Sequence, residues 1–264
     1  MYLSERPFYN DMKWALKSKK RTIGSWLQSG SSITAEAVAR SGLDWVLIDM
    51  EHGPGDIMAL ITQIQALGRY STTPFVRAPG NDAIAVKKIL DAGAAGVLIP
   101  CVSTEREASE AVRNCKYPPE GVRGMAGSTR AAGFNVDASS YLNSVNEQIV
   151  TMVAIETPEG FENLDAILRT EDLDGIFIGP MDFATSLGYF ANPRAKEVQD
   201  KIKVIEEKVK KSDKFLGTIA GSFEEARGLF DRGYHFIAAM SDTTTLAKHA
   251  RALADAFRTT FPDR

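Results

Sequence analysis

Cysteine is nearly absent from this chain: among 264 residues only Cys101 and Cys115 occur, without metal-type spacing. That excludes a disulfide framework and points to reduced thiols in a cytoplasmic protein. No sign of charge is in excess either. Lys and Arg number 31 against 34 Asp and Glu, for a net charge of −3, which leaves no electrostatic footprint for nucleic acid or an anionic membrane. No apolar run approaches the roughly 20 residues that span a bilayer. Residues 1–20 carry Glu5 and Asp11 and hold no signal-peptide core. The expectation is a soluble protein with neither a membrane nor a nucleic-acid partner.

What is present is a strict alternation. Apolar, β-branched or aromatic runs stand at Thr22–Leu27, Trp45–Asp49, Pro74–Ala78, Gly96–Pro100, Val150–Ile155, Gly175–Gly179, Phe215–Ala220 and Phe236–Met240. Helical periods lie between them: Asp56 is placed to cap a helix with Ile57, Leu60, Ile61, Ile64 and Leu67 on one face, and Ile202, Ile205 and Val209 repeat the pattern. Continuous apolar runs fit strands covered on both faces, as in parallel sheets. Eight of them, in a chain close to the roughly 250 residues of such folds, predict a single α/β domain, a (β/α)8 TIM barrel at residues 21–264. Asn10-Asp11 before Met12, Trp14 and Leu16 predicts an extra N-terminal helix within residues 1–20. Residues 116–148 are too long for an ordinary connection. As a helix-to-strand link they should emerge opposite the active face, as a structural or oligomer-forming arm with a short helix near Tyr141.

The strand ends carry the chemistry. In Trp45-Val-Leu-Ile-Asp-Met-Glu-His-Gly-Pro54 a buried-strand pattern runs into Asp49, Glu51 and His52. Strand one ends at Trp26 and Gln28, strand three delivers Arg77, strand five Glu156, strand six Gly179-Pro180-Met181-Asp182, and strand eight Ser241-Asp242. Each strand-end acid singly suits a helix cap; their coincidence on one rim is the signal. Glu156 and Asp182 make a hard oxygen site for Mg²⁺, Mn²⁺ or a similar divalent ion such as Co²⁺. Arg77 offers a planar fork to a carboxylate or an enolate oxygen, and the N–H groups around Gly179 to Asp182 suit an anion. His52 is the natural proton shuttle. A 2-oxo acid chelating the metal would have its carbonyl polarised. No strand-end lysine is available for an imine, because Lys87, Lys88 and Lys248 fall on helices; the expected route is metal-dependent, without an organic cofactor.

Other candidates read as structural. His235 and His249 have no partner pattern, and Cys101 has no histidine to activate it. Gly217 and Gly221-Ser222 follow strand seven, where barrels often bind phosphate. Neither a clear glycine-rich loop nor a basic partner follows them in sequence, so a free acid is preferred over a phosphorylated substrate.

Trp45–Pro54, Phe75-Val-Arg77, Leu98-Ile-Pro100, Tyr117-Pro-Pro-Glu-Gly-Val-Arg-Gly124, Ile155-Glu-Thr157 and Asp174-Gly-Ile-Phe-Ile-Gly-Pro-Met-Asp182 together resemble the HpcH/HpaI aldolase family. The match is in order from about Arg21 to Phe257. The resemblance is closest to class II pyruvate aldolases acting on 4-hydroxy-2-oxoheptanedioate and 2-dehydro-3-deoxyglucarate. It implies an aldehyde-lyase that reversibly cleaves a 4-hydroxy-2-oxo acid to pyruvate and an aldehyde through a pyruvate enolate. It also implies a homo-oligomer, trimer or hexamer, whose last helix is exchanged between subunits. By position it makes His52 the acid/base, Arg77 the enolate stabiliser, and Glu156 and Asp182 the metal ligands. Asp91 would raise the basicity of the histidine, Asp49 would orient it, and Met181 would offer its N–H to substrate, with Trp26, Gly179 and Pro180 beside it. Two departures stand out. Ala154 replaces the family glutamine before Ile-Glu, and Ala239-Met240-Ser241-Asp242 replaces Val-Gly-x-Asp. The alternative on the same metal site is an oxaloacetate-type decarboxylase.

Overall fold

The computed structural model describes residues 8–136 and 138–263. Its strands are β1 (Thr22–Leu27), β2 (Trp45–Asp49), β3 (Thr73–Arg77), β4 (Gly96–Ile99), β5 (Val150–Ile155), β6 (Gly175–Ile178), β7 (Phe215–Ile219) and β8 (Phe236–Ser241). They form a closed parallel barrel in chain order, with β8 returning to β1 through Thr22↔Phe236. All eight predicted runs are strands. β3 is displaced by one residue from its predicted bounds, and β4, β6 and β7 end one residue early. The residues so released, Pro100, Gly179 and Ala220, belong to the rim loops.

The helices are α1 (Asp11–Lys17), α2 (Ser32–Ala39), α3 (Ile57–Leu67), α4 (Ala83–Ala92), α5 (Glu105–Cys115), α6 (Ala138–Leu142), α7 (Val145–Gln148), α8 (Pro158–Glu162), α9 (Leu164–Leu168), α10 (Pro180–Ser186), α11 (Lys196–Lys210), α12 (Phe223–Asp231) and α13 (Asp242–Thr260). Several of them start at side-chain caps, such as Asp56 on α3 and the Thr104/Glu107 capping box on α5.

The barrel interior is filled by Trp45, Phe75, Phe215 and Phe236, with Trp45 and Phe236 stacked at 3.5 Å between centroids. The strands facing these rings carry glycine. A Cβ on Gly24 would overlap the Trp45 ring, and one on Gly175 the Phe215 ring. Large and small residues therefore alternate around the layer. Met12 and Leu16 of α1 join this cluster and close the N-terminal mouth. Asn10 donates to Ala95 O (2.9 Å) and Gln148 O (2.8 Å), and Lys13 Nζ to Ile149 O (2.6 Å) and Asp174 Oδ2 (3.1 Å). α1 is thus packed into the barrel, not appended to it.

Residues 116–148 lie at the same end. Arg123, buried, ion-pairs with Asp91 (2.7 Å) and sits over the rings of Tyr117 and Tyr141. Arg130 donates to Ala92 O at 2.8 Å, so the segment satisfies the open end of α4. At the other end of the chain, α13 leaves the barrel. Only its first residue, Asp242, is buried, held by Gln28 N (2.8 Å), Ser29 N (3.2 Å) and Thr34 Oγ1 (3.2 Å). Leu246, Leu253 and Phe257 along its length are 68%, 61% and 51% exposed.

Candidate functional site

The C-terminal ends of the strands form one rim, and its centre is a buried ion pair. β2 and β3 run in register with Asp49 opposite Arg77, which sets the two side chains next to each other. Arg77 Nε donates to Asp49 Oδ1 at 3.0 Å and Nη2 to Oδ2 at 2.7 Å, the two-point geometry that guanidinium and carboxylate favour. Trp26 Nε1 donates to Asp49 Oδ2 at 3.1 Å, and its ring lies 4.6 Å beneath the guanidinium. The N–H groups of Glu51 and His52 complete the shell of Asp49 at 3.0 and 3.2 Å. Burial works against the charge on Asp49. The hydrogen bonds and charge of Arg77, with Trp26 and the His52 N–H, outweigh it and hold the carboxyl below its ordinary range.

His52 follows on a tight turn. A Cβ on Gly53 would overlap Asp49 O, so only glycine lets the chain fold back and lift His52 to the surface. The imidazole is exposed and has no hydrogen bond or ion pair among the described residues. Asp49 orients the His52 backbone; both of its oxygens are occupied by other donors, and it does not hold the ring.

Glu156, directly after β5, is buried. Its Oε2 accepts from Cys101 N (3.0 Å) and Cys101 Sγ (3.4 Å). Cys101 has φ +53°, an unfavourable conformation for a side chain with a Cβ, and this turns its N–H toward Glu156. Burial pushes the Glu156 carboxyl above its ordinary value, and the charges of Asp182 and Glu51 add to that against the relief from Cys101. Burial also pushes the Cys101 thiol up to about 12, again with Glu156, Glu51 and Asp182 as charged neighbours, so it is no nucleophile. Glu51 Oε2 is buried and lies 2.8 Å from Arg77 Nη1 without hydrogen-bond alignment.

Four carboxylates, those of Asp49, Glu51, Glu156 and Asp182, thus share one patch with a single guanidinium. Asp182 stands in the first turn of α10, and Gly179 precedes it because a Cβ there would overlap Glu156 Oε1. An under-compensated, all-oxygen acid pair fits a hard divalent cation that takes its remaining ligands from water or substrate. Among the described residues no group of three or more His, Cys, Asp or Glu side chains is placed to hold a metal ion.

Asp91 is not brought to this rim. It sits on the last turn of α4, about 13 Å along the helix axis from the rim-facing cap Asp82, with its carboxylate engaged by Arg123. A helix-end acid has no route from there to the His52 of the same chain. Glu51, in the same decapeptide, is a member of this patch to which the sequence alone assigns no role. Its signal is a second acid two residues after Asp49, which by itself reads as a solvated loop. His249, read as structural, is exposed and faces a rim cavity with Lys248.

Comparison with known proteins places this geometry. Residues 22–249 match the HpcH/HpaI aldolase/citrate lyase family. The 4-hydroxy-2-oxo-heptane-1,7-dioate aldolase of Escherichia coli is 41% identical over 249 residues, 94% of this chain and 95% of that protein. The 5-keto-4-deoxy-D-glucarate aldolase of Citrobacter koseri is 39% identical over 256 residues, 97% and 99% of the two chains. Among solved structures, an HpcH/HpaI aldolase/citrate lyase family protein from Burkholderia cenocepacia superposes with a TM-score of 0.91 at 34% identity, covering 94% of this chain and 99% of that one. The chain belongs to the HpcH/HpaI aldolase/citrate lyase family and is an aldolase of it, a carbon–carbon lyase.

Proposed function

We propose that this aldolase reversibly cleaves a 4-hydroxy-2-oxo acid to pyruvate and an aldehyde, with Mg²⁺ or Mn²⁺ held by Glu156 and Asp182. The observation that carries the reading is the buried Asp49–Arg77–Trp26 clamp beside the acid pair: an oriented cation facing an under-compensated anionic site. The divalent ion supplies polarisation of the 2-oxo group. Arg77, with Nε and one Nη2 hydrogen committed to Asp49, turns its remaining N–H groups to the oxygen on which enolate charge develops. The N–H groups of Met181 and Asp182, unpaired in the first turn of α10, receive the substrate carboxylate, and Gly179 and Pro180 shape that turn. His52 takes the proton of the 4-hydroxyl as the C3–C4 bond breaks. The bond pair passes to the enolate, C4 becomes the aldehyde carbonyl, and a proton delivered to C3 completes the pyruvate methyl.

A second reading, decarboxylation of oxaloacetate on the same site, is favoured by Ala154. This residue faces the barrel interior opposite Phe177 and is buried. It offers a methyl group where a side-chain amide would reach substrate. The discriminating experiment is pyruvate release from 4-hydroxy-2-oxo acids and, in parallel, from oxaloacetate, each with Mg²⁺, with Mn²⁺ and with excess EDTA. Metal-dependent release from the hydroxy-oxo acids supports the aldolase reading; release from oxaloacetate alone supports the second.

The two free thiols suit a reducing, cytoplasmic setting, and no helix among the described residues is long and apolar enough to cross a membrane. The apolar stripe that α13 holds away from its own barrel supports a homo-oligomer in which a second copy covers it.

A further inference from the structure

The mechanism proposed above leaves Cys101 unused, yet its place is closely fixed. It lies in the loop between β4 and α5, and that loop is fastened to the chain on both sides of Glu156. Val102 N donates to Ala154 O at 3.2 Å, and Ser103 Oγ and Thr157 Oγ1 form a hydroxyl pair at 2.7 Å. Asn163 Nδ2 donates to Ser103 O at 2.9 Å. Cys101 is thereby held with two donors aimed at one oxygen: its N–H is 3.0 Å and its thiol 3.4 Å from Glu156 Oε2. A thiol is a weak donor, strengthened here by the charge on its acceptor. Among the described residues these are the two donors to the Glu156 carboxylate.

The other oxygen is in a different position. Glu156 Oε1 has no hydrogen bond among the described residues and lies against Gly179, so close that a Cβ there would overlap it. Gly179 opens α10, and Asp182 follows in its first turn. One oxygen is thus occupied on the side of Cys101 and the other is left open on the side of Asp182.

We propose that Cys101 is a positioning residue: by occupying Oε2 it makes Glu156 a one-oxygen ligand through Oε1, and so tunes the site to Mg²⁺ or Mn²⁺ against Ca²⁺. The inference rests on the reading that Glu156 and Asp182 hold the metal, and adds a source of its selectivity. Ca²⁺ often takes both oxygens of one carboxylate in a flexible shell, whereas the smaller ions favour octahedral sets of single oxygens. A carboxylate free to pivot can serve either kind of ion. Two donors arriving on one oxygen from a fastened loop oppose that pivot, and groups behind a ligand commonly set its affinity in this way.

The test is calorimetric titration of the parent protein, Cys101→Ala and Cys101→Ser with Mn²⁺ and with Ca²⁺, without substrate. Cys101→Ala keeps the N–H and removes the thiol; Cys101→Ser supplies a hydroxyl donor to the same oxygen. The parent protein is expected to bind Mn²⁺ more tightly than Ca²⁺. Cys101→Ala is expected to lower the Mn²⁺-to-Ca²⁺ affinity ratio by about tenfold, and Cys101→Ser to retain the parent ratio. An unchanged ratio in Cys101→Ala, or an equal fall in both variants, overturns the role of the thiol while leaving Glu156 and Asp182 as metal ligands. A parent protein that binds neither ion, or Glu156→Gln that binds Mn²⁺ as tightly as the parent, overturns that reading and this one together.

Discussion

Asp49 is the residue on which the site depends, because five donors converge on its two oxygens. Removing it leaves the buried Arg77 guanidinium with only the misaligned Glu51. Breaking one side of a buried pair costs about 3–5 kcal/mol. Asp49→Ala should therefore lower the urea midpoint by an amount corresponding to several kcal/mol and abolish turnover, whereas His52→Ala, at an exposed position, should leave the midpoint unchanged and lower turnover by roughly 10²–10⁴-fold. Equal midpoints for the two variants would contradict the clamp. Asp49, Arg77, His52 and Glu156 were legible in the sequence because each ends an apolar run, and strand ends share a rim. Glu51 and Asp91 were not: contact with Arg77 depends on the turn after β2, and the distance of Asp91 from the rim depends on the length and direction of α4.

At the scale of elements, close approaches decide what each strand end can carry. Gly179 lets the start of α10 pass against Glu156. Gly179→Ala should displace that carboxylate, weaken Mn²⁺ binding measured by calorimetry at least tenfold, and leave the fold intact by circular dichroism; unchanged affinity would show that Glu156 does not need this space. His235, between β7 and β8, is half-buried and accepts from Leu216 N at 3.4 Å. Burial, with Lys19 and Arg21 nearby, pushes its pKa from 6.5 down to about 4. Between those values the unfolded chain binds the proton that the folded one rejects, so this contribution is complete above 6.5 and is lost as pH falls toward 4. Denaturant titrations across that window should show stability falling with acid, and His235→Gln should flatten the slope. An identical slope in the variant would remove His235 as its source. The strands themselves were readable as apolar runs, but the one-residue differences at β3, β4, β6, β7 and β8 were not, because where pairing stops is set by register with the neighbouring strand, which an apolar run does not carry.

For the whole molecule, the closed barrel was legible from eight runs at regular intervals in a chain of the right length. The place of residues 116–148, opposite the active face, was legible too, from their position as a helix-to-strand link; what they touch there, and what covers α13, was not. An amphipathic period says that a helix has an apolar face, not which body covers it. The 116–148 segment turns out to hold the end of α4 through Arg123 and Arg130. The stripe of α13 faces outward, and if a second copy covers it, as proposed, the Leu253→Glu/Phe257→Glu double variant should have a smaller mass by light scattering than the parent protein. Equal masses would mean that α13 is not the contact.

If this rim makes an enolate of pyruvate using Glu156, Asp182 and Arg77, as proposed, the pyruvate methyl protons must exchange with solvent. The most direct measurement is proton NMR of pyruvate with the enzyme in D₂O, with no aldehyde present. Loss of the methyl signal is expected when Mg²⁺ or Mn²⁺ is added, with no loss in excess EDTA and none for Glu156→Gln or Arg77→Ala. A methyl signal that persists with metal, in enzyme that still releases pyruvate from a hydroxy-oxo acid, would contradict the proposal.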